Sequence, residues 1–301
     1  MPQPLPTPLQ QDLHALLPAS QARYPGSRRA ALQLMLGAGY AAAAAPVLAQ
    51  QAIHTSAEGL VVGEVQIDAQ GFRLPAYRAA PAGRKNLPVV LVIQEIFGVH
   101  DYIADTCRRL AHAGYLAIAP ELFARQGDPM DYGELARLMS ELVAKVPDPQ
   151  VLADLDATCR WAAAHGGDAE RLAITGFCWG GRITWLYAAQ GPVKAGVAWY
   201  GRLVGPASAM TPRQPIDLAG QLKAPVLGLY GGQDSGIPLD SVEQMKTALA
   251  QGSPAARASR IQVYPQAPHA FHADYRPSYR QQPAEDGWQR MLAWFQQQGV
   301  A

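Results

Sequence analysis

Hydrophobic and polar positions follow two different periods along the chain from residue 59 onward. Residues 61–67 and 72–78 are predicted to form two short strands with alternating apolar and polar side chains, joined by a turn at Gly71. They predict an antiparallel pair at one edge of a sheet. Further along, continuous apolar runs bounded by turn residues are typical of buried parallel strands. These runs are residues 89–93, 115–119, 171–175, 195–199, 226–230 and 261–264.

Stretches with a helical period separate these runs. They are residues 101–113, 132–146, 149–164, 179–190, 239–251 and 283–298. An alternation of strands and helices predicts an α/β fold in which a doubly wound, mostly parallel sheet is flanked by helices. Residues 201–224 show neither period and are predicted to form an insertion over one end of the sheet. Ligands of such folds bind at the carboxyl ends of the strands, so the chemistry is expected there.

Residues 1–49 are predicted to be a leader that precedes a single folded domain at residues 50–301. Arg28 and Arg29 come before an Ala-rich apolar stretch, which ends near the small residue Ala49. This order is typical of a cleavable export signal of the twin-arginine type. We therefore expect cleavage near Ala49 and a periplasmic protein. A disordered or membrane-tethering leader is the alternative, although a comfortable membrane span needs about 20 apolar residues.

Composition narrows the expected partners. The chain carries a formal net charge of +1, with 49% hydrophobic and 16% charged residues, as is typical of a soluble globular protein. Lys/Arg-rich runs are absent from the body of the sequence, so a small molecule is a more natural partner than nucleic acid or an anionic membrane. The three cysteines, Cys107, Cys159 and Cys178, lack C-x-x-C spacing. An odd, sparse set argues against a disulfide framework or a zinc site and predicts at least one free thiol.

The motif G-F-C-W-G-G at residues 176–181 stands between a predicted strand and a predicted helix. In the serine form of this pattern, G-x-S-x-G, the nucleophile occupies a strained strand-to-helix turn, and the flanking glycines avoid collisions with the neighbouring backbone. The positive end of the following helix favours a thiolate at this position. Cys178 is therefore predicted to be a nucleophile, with a buried structural cysteine as the alternative.

Two further residues fit the roles of a base and an acid. The α/β-hydrolases carry nucleophile, acid and histidine in that order along the chain. Asp234 follows the predicted strand 226–230, and His269 follows the predicted strand 261–264. His269 can accept the thiol proton and later activate water, while Asp234 can orient the imidazole and stabilise its charge. We therefore predict a triad of Cys178, His269 and Asp234.

Neighbouring residues compete for two of these roles. Asp240 is a second acid, but it is expected to cap the helix that begins beyond Pro238. His272 is a second histidine, and His269 is preferred because it comes first after the strand. The spacing of the two histidines also matches H-x-x-H, yet a metal site needs a third ligand, so no metal is predicted.

These residues resemble the dienelactone hydrolase family of α/β-hydrolases over about residues 59–298. Five stretches carry the resemblance: Q-E-I-F-G at 94–98, P-E-L-F-A-R-Q at 120–126, the Cys178 motif, G-G-Q-D at 231–234 and the loop around His269. The resemblance implies an α/β-hydrolase fold and carboxymethylenebutenolidase-type chemistry. In that chemistry a thiolate attacks an enol-lactone carbonyl, and water releases the resulting thioester acyl-enzyme. It implies no cofactor.

The resemblance also implies roles around the nucleophile. Glu95 would contact the resting thiol of Cys178 and accept its proton when substrate displaces it. The alternatives for Glu95 are a cap on the following helix or a partner for an arginine. The backbone N–H groups of Ile96 and Trp179 would form the oxyanion hole.

Substrate recognition matches the family less closely. The family binds the dienelactone carboxylate with arginines, one of them four residues past the catalytic histidine, where this chain has Ala273. Arg137 lies in the region of the second family arginine but lacks a matching neighbourhood. Arg125, Arg202 and Arg276 are the candidates for binding an anionic substrate.

A hydrolase that cleaves an ester or lactone with a cysteine nucleophile is the predicted function. One triad and oxyanion hole support several nucleophiles and leaving groups, so an acyl-transfer enzyme or a C–C bond hydrolase is an alternative. A non-catalytic periplasmic module that binds a ligand or senses oxidants through its thiol is the alternative outside enzymes.

Overall fold

A computed structural model describes residues 52–301, so the predicted leader and its cleavage site lie outside the described residues. The eight strands are β1 Leu60–Ala69, β2 Phe72–Pro81, β3 Leu87–Ile93, β4 Leu116–Pro120, β5 Gly167–Phe177, β6 Ala195–Trp199, β7 Val226–Gly231 and β8 Arg260–Tyr264. They form one sheet in the order β1-β2-β4-β3-β5-β6-β7-β8. β1 and β2 are antiparallel, as are β2 and β4, and the remaining neighbours are parallel. The predicted fold class is confirmed.

Five helices of ten residues or more accompany the sheet within the described range. They are α1 Asp101–His112, α2 Asp148–Ala164, α3 Trp179–Ala188, α4 Leu239–Ala250 and α5 Gln281–Gln297. Shorter turns of helix are Pro129–Asp131, Leu135–Arg137, Leu138–Leu142, Val143–Lys145, Pro215–Leu218, Ala219–Gln221 and Pro254–Ala258. Each of α1 to α4 connects two strands, and α3 packs on β5 and β6. This is the crossover arrangement that parallel strands require.

Burial follows the sequence pattern. Every residue of β3, β4, β6 and β7 is buried. Strands covered on both faces need apolar side chains on both faces, which explains their continuous apolar runs. β1 instead lies at the edge and exposes part of its residues, as its alternating pattern predicts. No helix among residues 52–301 is both long and apolar enough to cross a bilayer.

One predicted helix, residues 132–146, is wrong as a single element. The structure divides it into an α turn, a π turn at Leu138–Leu142 and a 3₁₀ turn at Val143–Lys145. Leu138 and Leu142 are buried, so the apolar period is real although the helix is irregular. The segment ends at Val146 because the following Pro147 disfavours helical backbone in the residue before it.

A buried arginine of α3 holds the segment 201–224 in place through hydrogen bonds. The guanidinium of Arg182 donates two hydrogen bonds of 2.8 Å to the Asp148 carboxylate. It donates further bonds to the Gln214 side chain, at 2.9 Å, and to the Arg213 carbonyl, at 2.7 Å. A buried guanidinium with paired donors is held far more rigidly than a surface one. This segment is therefore fixed to the helix that follows Cys178.

Candidate active site

The segments that follow the central strands leave the sheet at one edge. β3 and β5 are in register with Ile93 opposite Gly176, and β7 and β8 with Gly231 opposite Tyr264. Because these strands are parallel, their carboxyl ends lie side by side. The residues expected to do chemistry follow β3, β5, β7 and β8, so the sheet brings them to the same edge.

Cys178 lies between β5 and α3 in a left-handed backbone conformation, with a φ of 54° and a ψ of −113°. Such a conformation costs a non-glycine residue about 1–3 kcal/mol. The turn is held by a 3.0 Å hydrogen bond from the Cys178 N–H to the Trp199 carbonyl. The thiol is thereby placed at the N-terminus of α3, where it is partly exposed.

The glycines around Cys178 are required by close backbone contacts. A Cβ on Gly176 would lie 2.2 Å from the Gly180 carbonyl oxygen, and a Cβ on Gly180 would lie 2.4 Å from that of Ile93. A Cβ on Gly181 would lie 2.5 Å from the Trp199 oxygen. These distances are far below van der Waals contact, and backbone atoms cannot move aside cheaply. The flanking glycines are therefore required for steric reasons, as predicted.

His269 lies between Asp234 and Cys178. Its Nδ1 is 2.6 Å from Asp234 Oδ2, and Cys178 lies close enough to act on the imidazole electrostatically. Asp234 is buried, and its other oxygen, Oδ1, accepts a 2.9 Å hydrogen bond from the Gly236 N–H. The His269 side chain is 28% exposed, so solvent reaches the site from its side. The structure thus places the three predicted residues near one another, with one hydrogen bond between His269 and Asp234.

The electrostatic surroundings of His269 favour its charged form. Burial opposes a charge on the imidazole, but the negative charge of Cys178 and the hydrogen bond to Asp234 outweigh burial and raise the pKa of His269 to about 10. An imidazolium beside a sulfur and a carboxylate is the state expected when the thiol proton has moved to the histidine. His269 therefore lies where it can hold a proton that the thiol gives up.

His272 occupies a different environment and makes no contact with the triad acid. Its Nδ1 lies 2.5 Å from the Tyr102 hydroxyl, and its ring stacks on Phe177 and Trp288. Burial, together with the positive charge of Arg109, lowers its pKa to about 3. His272 is therefore a neutral, buried histidine at ordinary pH. Among residues 52–301, no group of three potential ligands is placed to hold a metal.

Asp240 does not cap α4 as predicted. The helix begins at Leu239, so Pro238 takes the cap position and Asp240 lies in the first turn without a capping hydrogen bond. Its exposed carboxylate complements the positive end of the helix dipole instead. The prediction is wrong by two positions because the fixed φ of a proline suits the residue just before a helix as well as the first helical residue.

Glu95 is fully buried at the end of β3 and has three polar partners. Its Oε2 accepts a 2.8 Å hydrogen bond from the Tyr275 hydroxyl and lies 3.4 Å from His100 Nε2. Its Oε1 lies 3.1 Å from Nη2 of Arg276, whose Nε donates to the Tyr275 hydroxyl at 2.8 Å. Pairing with an arginine, one of the alternatives considered for Glu95, is thus the arrangement found. The role of resting partner for the thiol stays a prediction.

The partners of Glu95 keep it ionised despite its burial. Burial alone would raise the pKa of this carboxyl, but the charge of Arg276 and the hydrogen bonds from His100 and Tyr275 lower it to about 2. Arg276 is itself only 1% exposed and spreads over the ring of Phe97. The pair is therefore a fully desolvated ion pair beside the triad, and each charge depends on the other.

The expected oxyanion-hole groups lie on the two segments that flank Cys178. Trp179 is the first residue of α3, so its N–H has no acceptor one turn earlier in the helix. Ile96 lies in the tight turn closed by the Glu95–Gly98 bridge. Within residues 52–301, neither N–H donates a backbone hydrogen bond. Both therefore remain candidates for binding a developing negative charge.

Several aromatic residues of the site were not singled out from the sequence. Tyr200 is fully buried, with its ring 5.1 Å from that of His269, and both Glu95 and Cys178 act on its hydroxyl electrostatically. Tyr275 and His100 contact Glu95 directly. The signals were position alone: Tyr275 precedes Arg276, and His100 follows the Q-E-I-F-G motif by two residues.

The three candidate substrate-binding arginines have unlike surroundings. Arg276 is committed to Glu95, as described. Arg125 pairs with Asp154 and lines a surface depression, shared with Gln150, to which Cys178 does not contribute. Arg202 alone of the three is exposed. Of the three, only Arg202 keeps its charge open to solvent.

All three cysteines are free thiols, which confirms the expectation of at least one. Cys107 and Cys159 are buried, and burial raises the pKa of each, to about 11 for Cys159. Cys159 lies 3.4 Å from the Tyr187 hydroxyl in the core. A buried, protonated thiol is unreactive. Cys178 is thus the only cysteine of the chain at a partly exposed position.

The topology of the sheet, with its strand-to-helix elbow at the carboxyl edge, is that of an α/β-hydrolase. The sequence pattern that defines the dienelactone hydrolase family matches residues 74–299, and the chain belongs to that family. It is a hydrolase of the dienelactone hydrolase type, and a small molecule is the substrate that this family implies.

Similar proteins span nearly the whole chain. A protein of Methylorubrum extorquens, provisionally named carboxymethylenebutenolidase, is 57% identical over 91% of this chain and 94% of its own. An Escherichia coli protein with the same provisional name is 59% identical over 87% of this chain and 96% of its own. A crystal structure from Klebsiella pneumoniae, provisionally named dienelactone hydrolase, is 60% identical with a TM-score of 0.77 and covers 79% of this chain and 99% of its own.

Proposed function

We propose that the protein hydrolyses an ester or lactone through a thioester on Cys178, with His269 as the proton carrier and Asp234 as the residue that orients it. One observation carries the proposal: the imidazole of His269 bonds Asp234 at 2.6 Å and lies beside the elbow cysteine, which acts on it electrostatically. A nucleophile, a base and an orienting acid in hydrogen-bond contact are the arrangement that covalent acyl transfer needs.

The reaction balances in two halves. The thiolate of Cys178 attacks the carbonyl carbon, a C–S bond forms, and the carbonyl electron pair moves onto the oxygen. Collapse of this intermediate breaks the C–O bond, and the His269 imidazolium protonates the departing alkoxide, which stays on the same molecule when the substrate is a lactone. His269 then removes a proton from water, hydroxide adds to the thioester, and the acid leaves as the thiolate is restored.

The N–H groups of Ile96 and Trp179 are proposed to stabilise the oxyanion in both halves. Loss of one such donor typically costs about 10²–10³ in kcat. Glu95 is proposed to contact the resting thiol of Cys178 and to accept its proton when substrate displaces it. The Glu95 carboxylate bonds the Tyr275 hydroxyl and lies 3.1 Å from Arg276, while Cys178 acts electrostatically on His269.

Trapping of the acyl-enzyme tests the proposal. Mixing with para-nitrophenyl acetate should release a burst of nitrophenolate, and mass spectrometry of quenched protein should find one acetyl group on the peptide that contains Cys178. Cys178→Ala should abolish both signals, while Cys159→Ala, which removes a buried thiol, should keep them. Hydrolysis by Cys178→Ala at the wild-type rate would refute the proposal, as would transfer of the acyl group to an added alcohol in preference to water.

We also propose that the protein is exported by a twin-arginine signal and works in the periplasm. The support is the sequence around Arg28, Arg29 and Ala49. Expression of the full chain should yield periplasmic protein that begins near Gln50, as read by N-terminal sequencing. Replacement of both arginines by lysine should retain the precursor in the cytoplasm, and an unprocessed cytoplasmic wild-type protein would contradict the proposal.

A further inference from the structure

We propose that Asp274 and Arg109 are positioning residues that hold the loop of His269 against α1, and that the segment 53–56, at the start of the described residues, completes this support. The connected residues Thr55, Asp105, Arg109 and Asp274 are called the clasp below. The proposal rests on the proposed function, because it concerns His269 as the residue that takes the thiol proton.

The loop that carries His269 needs support from outside. Its residues, 265–280, lie between the end of β8 and the start of α5 and form neither helix nor strand. Ala270, directly after His269, has a φ of 57°, and this left-handed conformation costs a non-glycine residue about 1–3 kcal/mol. Such a conformation persists only where the surrounding structure enforces it. The position of His269 therefore depends on contacts made further along the loop.

Asp274 attaches the loop to α1 through a buried ion pair. Its Oδ2 accepts a 2.5 Å hydrogen bond from Nη2 of Arg109, and its side chain is 2% exposed. A desolvated carboxylate is held strongly by a charged donor, since either charge would be costly to bury alone. His272 adds a neutral hydrogen bond to Tyr102 of the same helix. The ion pair thus fixes the loop five residues after His269.

Arg109 in turn joins Asp274 to the segment 53–56. Its Nε donates to Asp105 Oδ2 at 2.6 Å. Asp105 also accepts a 2.6 Å bond from the Thr55 N–H on Oδ1 and a 3.1 Å bond from the Thr55 hydroxyl on Oδ2. Arg108 donates to Asp105 Oδ1 at 2.8 Å and to the Thr55 carbonyl at 2.9 Å. All three polar groups of Thr55 are therefore bonded to α1.

The helix α1 therefore supports two parts of the proposed site. It begins five residues after Ile96, whose N–H is a candidate for the oxyanion hole, and the clasp fixes the His269 loop to the same helix. Burial raises the pKa of Asp274, and the Arg109 charge and the Ile53 backbone oppose that rise, so the segment 53–56 also acts on the loop directly. A displacement of about 1 Å at a reacting group can cost about 10²-fold in rate.

Alkylation of Cys178 by iodoacetamide tests the proposal, because it measures the reactivity of the thiol without turnover. Asp274→Ala frees the loop, so the alkylation rate constant and kcat for para-nitrophenyl acetate should each fall about tenfold or more, with KM within about threefold. Asp274→Asn keeps an acceptor for Arg109 and should lose less. Asp168→Ala is the matched control, since Asp168 also binds an arginine, Arg171, at 2.8 Å, but at the opposite end of β5 from Cys178. Both rates should stay within about twofold of wild type in this control.

A second background separates positioning from stability. In His269→Gln the group that the clasp is proposed to position is gone, so the addition of Asp274→Ala should lower the alkylation rate constant no further. A purely structural role would produce the same fractional loss in both backgrounds. The midpoint of thermal unfolding should fall by a similar amount when Asp274→Ala is added to either protein.

Two further variants test the other members of the clasp. Thr55→Val removes the hydroxyl that donates to Asp105 and keeps the backbone N–H, so alkylation should slow by about two- to fivefold. Arg109→Lys keeps a positive charge but cannot span two carboxylates as a guanidinium does, and alkylation should slow by about threefold or more. This variant also serves as the test if Asp274→Ala does not fold.

The outcomes separate the two proposals. Wild-type alkylation and kcat in Asp274→Ala, or in Arg109→Lys if the first variant does not fold, overturn the positioning role. Equal fractional losses in the wild-type and His269→Gln backgrounds also overturn it, because the clasp would then act on the fold alone. A Thr55→Val variant with the wild-type rate overturns the part assigned to the segment 53–56. All of these results leave the proposed function intact. If His269→Gln itself hydrolyses the ester and is alkylated at wild-type rates, the proposed function falls, and the clasp proposal falls with it.

Discussion

His269 and His272 lie three residues apart on one loop, yet the fold gives them opposite properties. His269 faces the solvent side of the site, bonds the Asp234 carboxylate, and has a pKa raised to about 10. His272 points into an aromatic cluster, bonds the Tyr102 hydroxyl, and has a pKa lowered to about 3. The comparison shows that proton chemistry depends on which side of the loop a ring occupies, since burial without a counter-charge removes the imidazolium.

The two carboxylates of the site also differ in their partners: one is bonded to a histidine that titrates, the other to an arginine that stays charged. Asp234 accepts from His269 and from one backbone N–H, so its charge serves a group that gains and loses a proton. Glu95 is bound to the permanent charge of Arg276 and is fully buried. We therefore expect substitutions in the Asp234–His269 pair to change the rate of hydrolysis, and substitutions in the Glu95–Arg276 pair to change the free energy of unfolding.

The largest expected effect is a difference between substitutions of the two histidines. His269→Gln should lower kcat/KM for aryl esters by about 10³-fold or more, because the imidazole that carries protons in both halves of the proposed reaction is lost. His272→Gln should leave kcat/KM within about tenfold and lower the free energy of unfolding by about 1–3 kcal/mol through the lost bond to Tyr102. Steady-state kinetics and urea unfolding measure the two effects. Equal losses of activity would break the comparison.

Removal of one charge from the buried pair should destabilise the protein next most strongly. Glu95→Gln strands the Arg276 charge and should lower the free energy of unfolding by about 3–5 kcal/mol. Asp234→Asn is the control, with a smaller loss of stability and a larger loss of activity. The double variant Glu95→Met, Arg276→Met should be more stable than Glu95→Gln alone, because no buried charge remains. Additive losses in urea unfolding would show that the two residues are not coupled.

As the pH falls, protonation of His272 should lower the free energy of unfolding before protonation of Glu95 does. The folded pKa of His272, about 3, lies below its unfolded value near 6.5, so its contribution to stability is complete above pH 6.5 and is lost as the pH falls towards 3. Glu95, lowered from 4.5 to about 2, adds a loss only below about pH 4.5. Between these onsets the wild type should lose stability relative to His272→Gln by about 1.4 kcal/mol per pH unit. The free energy of unfolding in urea, plotted against pH, should therefore fall more steeply for the wild type. The same slope for both proteins would contradict this prediction.

The smallest effect is expected at an exposed ion pair. Arg137 and Glu141 bond each other at 2.9 Å across one turn on the surface, with both side chains about half exposed. Solvent screens such pairs, so Arg137→Ala should leave both the midpoint of thermal unfolding and ester hydrolysis without measurable change. A clear loss of activity would instead assign Arg137 to the substrate site.

The sequence predicted the strands more reliably than the helices of this fold. All eight strands are present, since continuous apolar runs leave a buried parallel strand few alternatives. The helix at residues 132–146 is broken because apolar period reports which residues are buried, and it does not report whether the turn between them is α, π or 3₁₀. The cap position of α4 is likewise decided by backbone geometry, which side-chain type specifies only loosely.

The residues of the site likewise differ in how well their positions could be predicted from the sequence. Cys178, Asp234 and His269 could be placed together from chain order and their positions after strands, because parallel topology fixes where strand ends meet. The partners of Glu95 could not, since the pairing with Arg276 joins residues 181 positions apart and depends on how one loop folds back over β3. The catalytic roles of Cys178, Asp234, His269 and Glu95 remain predictions.

Because the three cysteines are buried to different degrees, titration of the thiols in the native protein can measure the concentration of intact active sites. A mild disulfide reagent that requires a thiolate should release one equivalent of chromophore from the folded chain, since Cys107 and Cys159 are buried and protonated. The same reagent in denaturant should count all three. Three times the ratio of the native to the denatured titre then gives the fraction of molecules with an intact elbow. An electrophilic dye would label one defined position without mutagenesis.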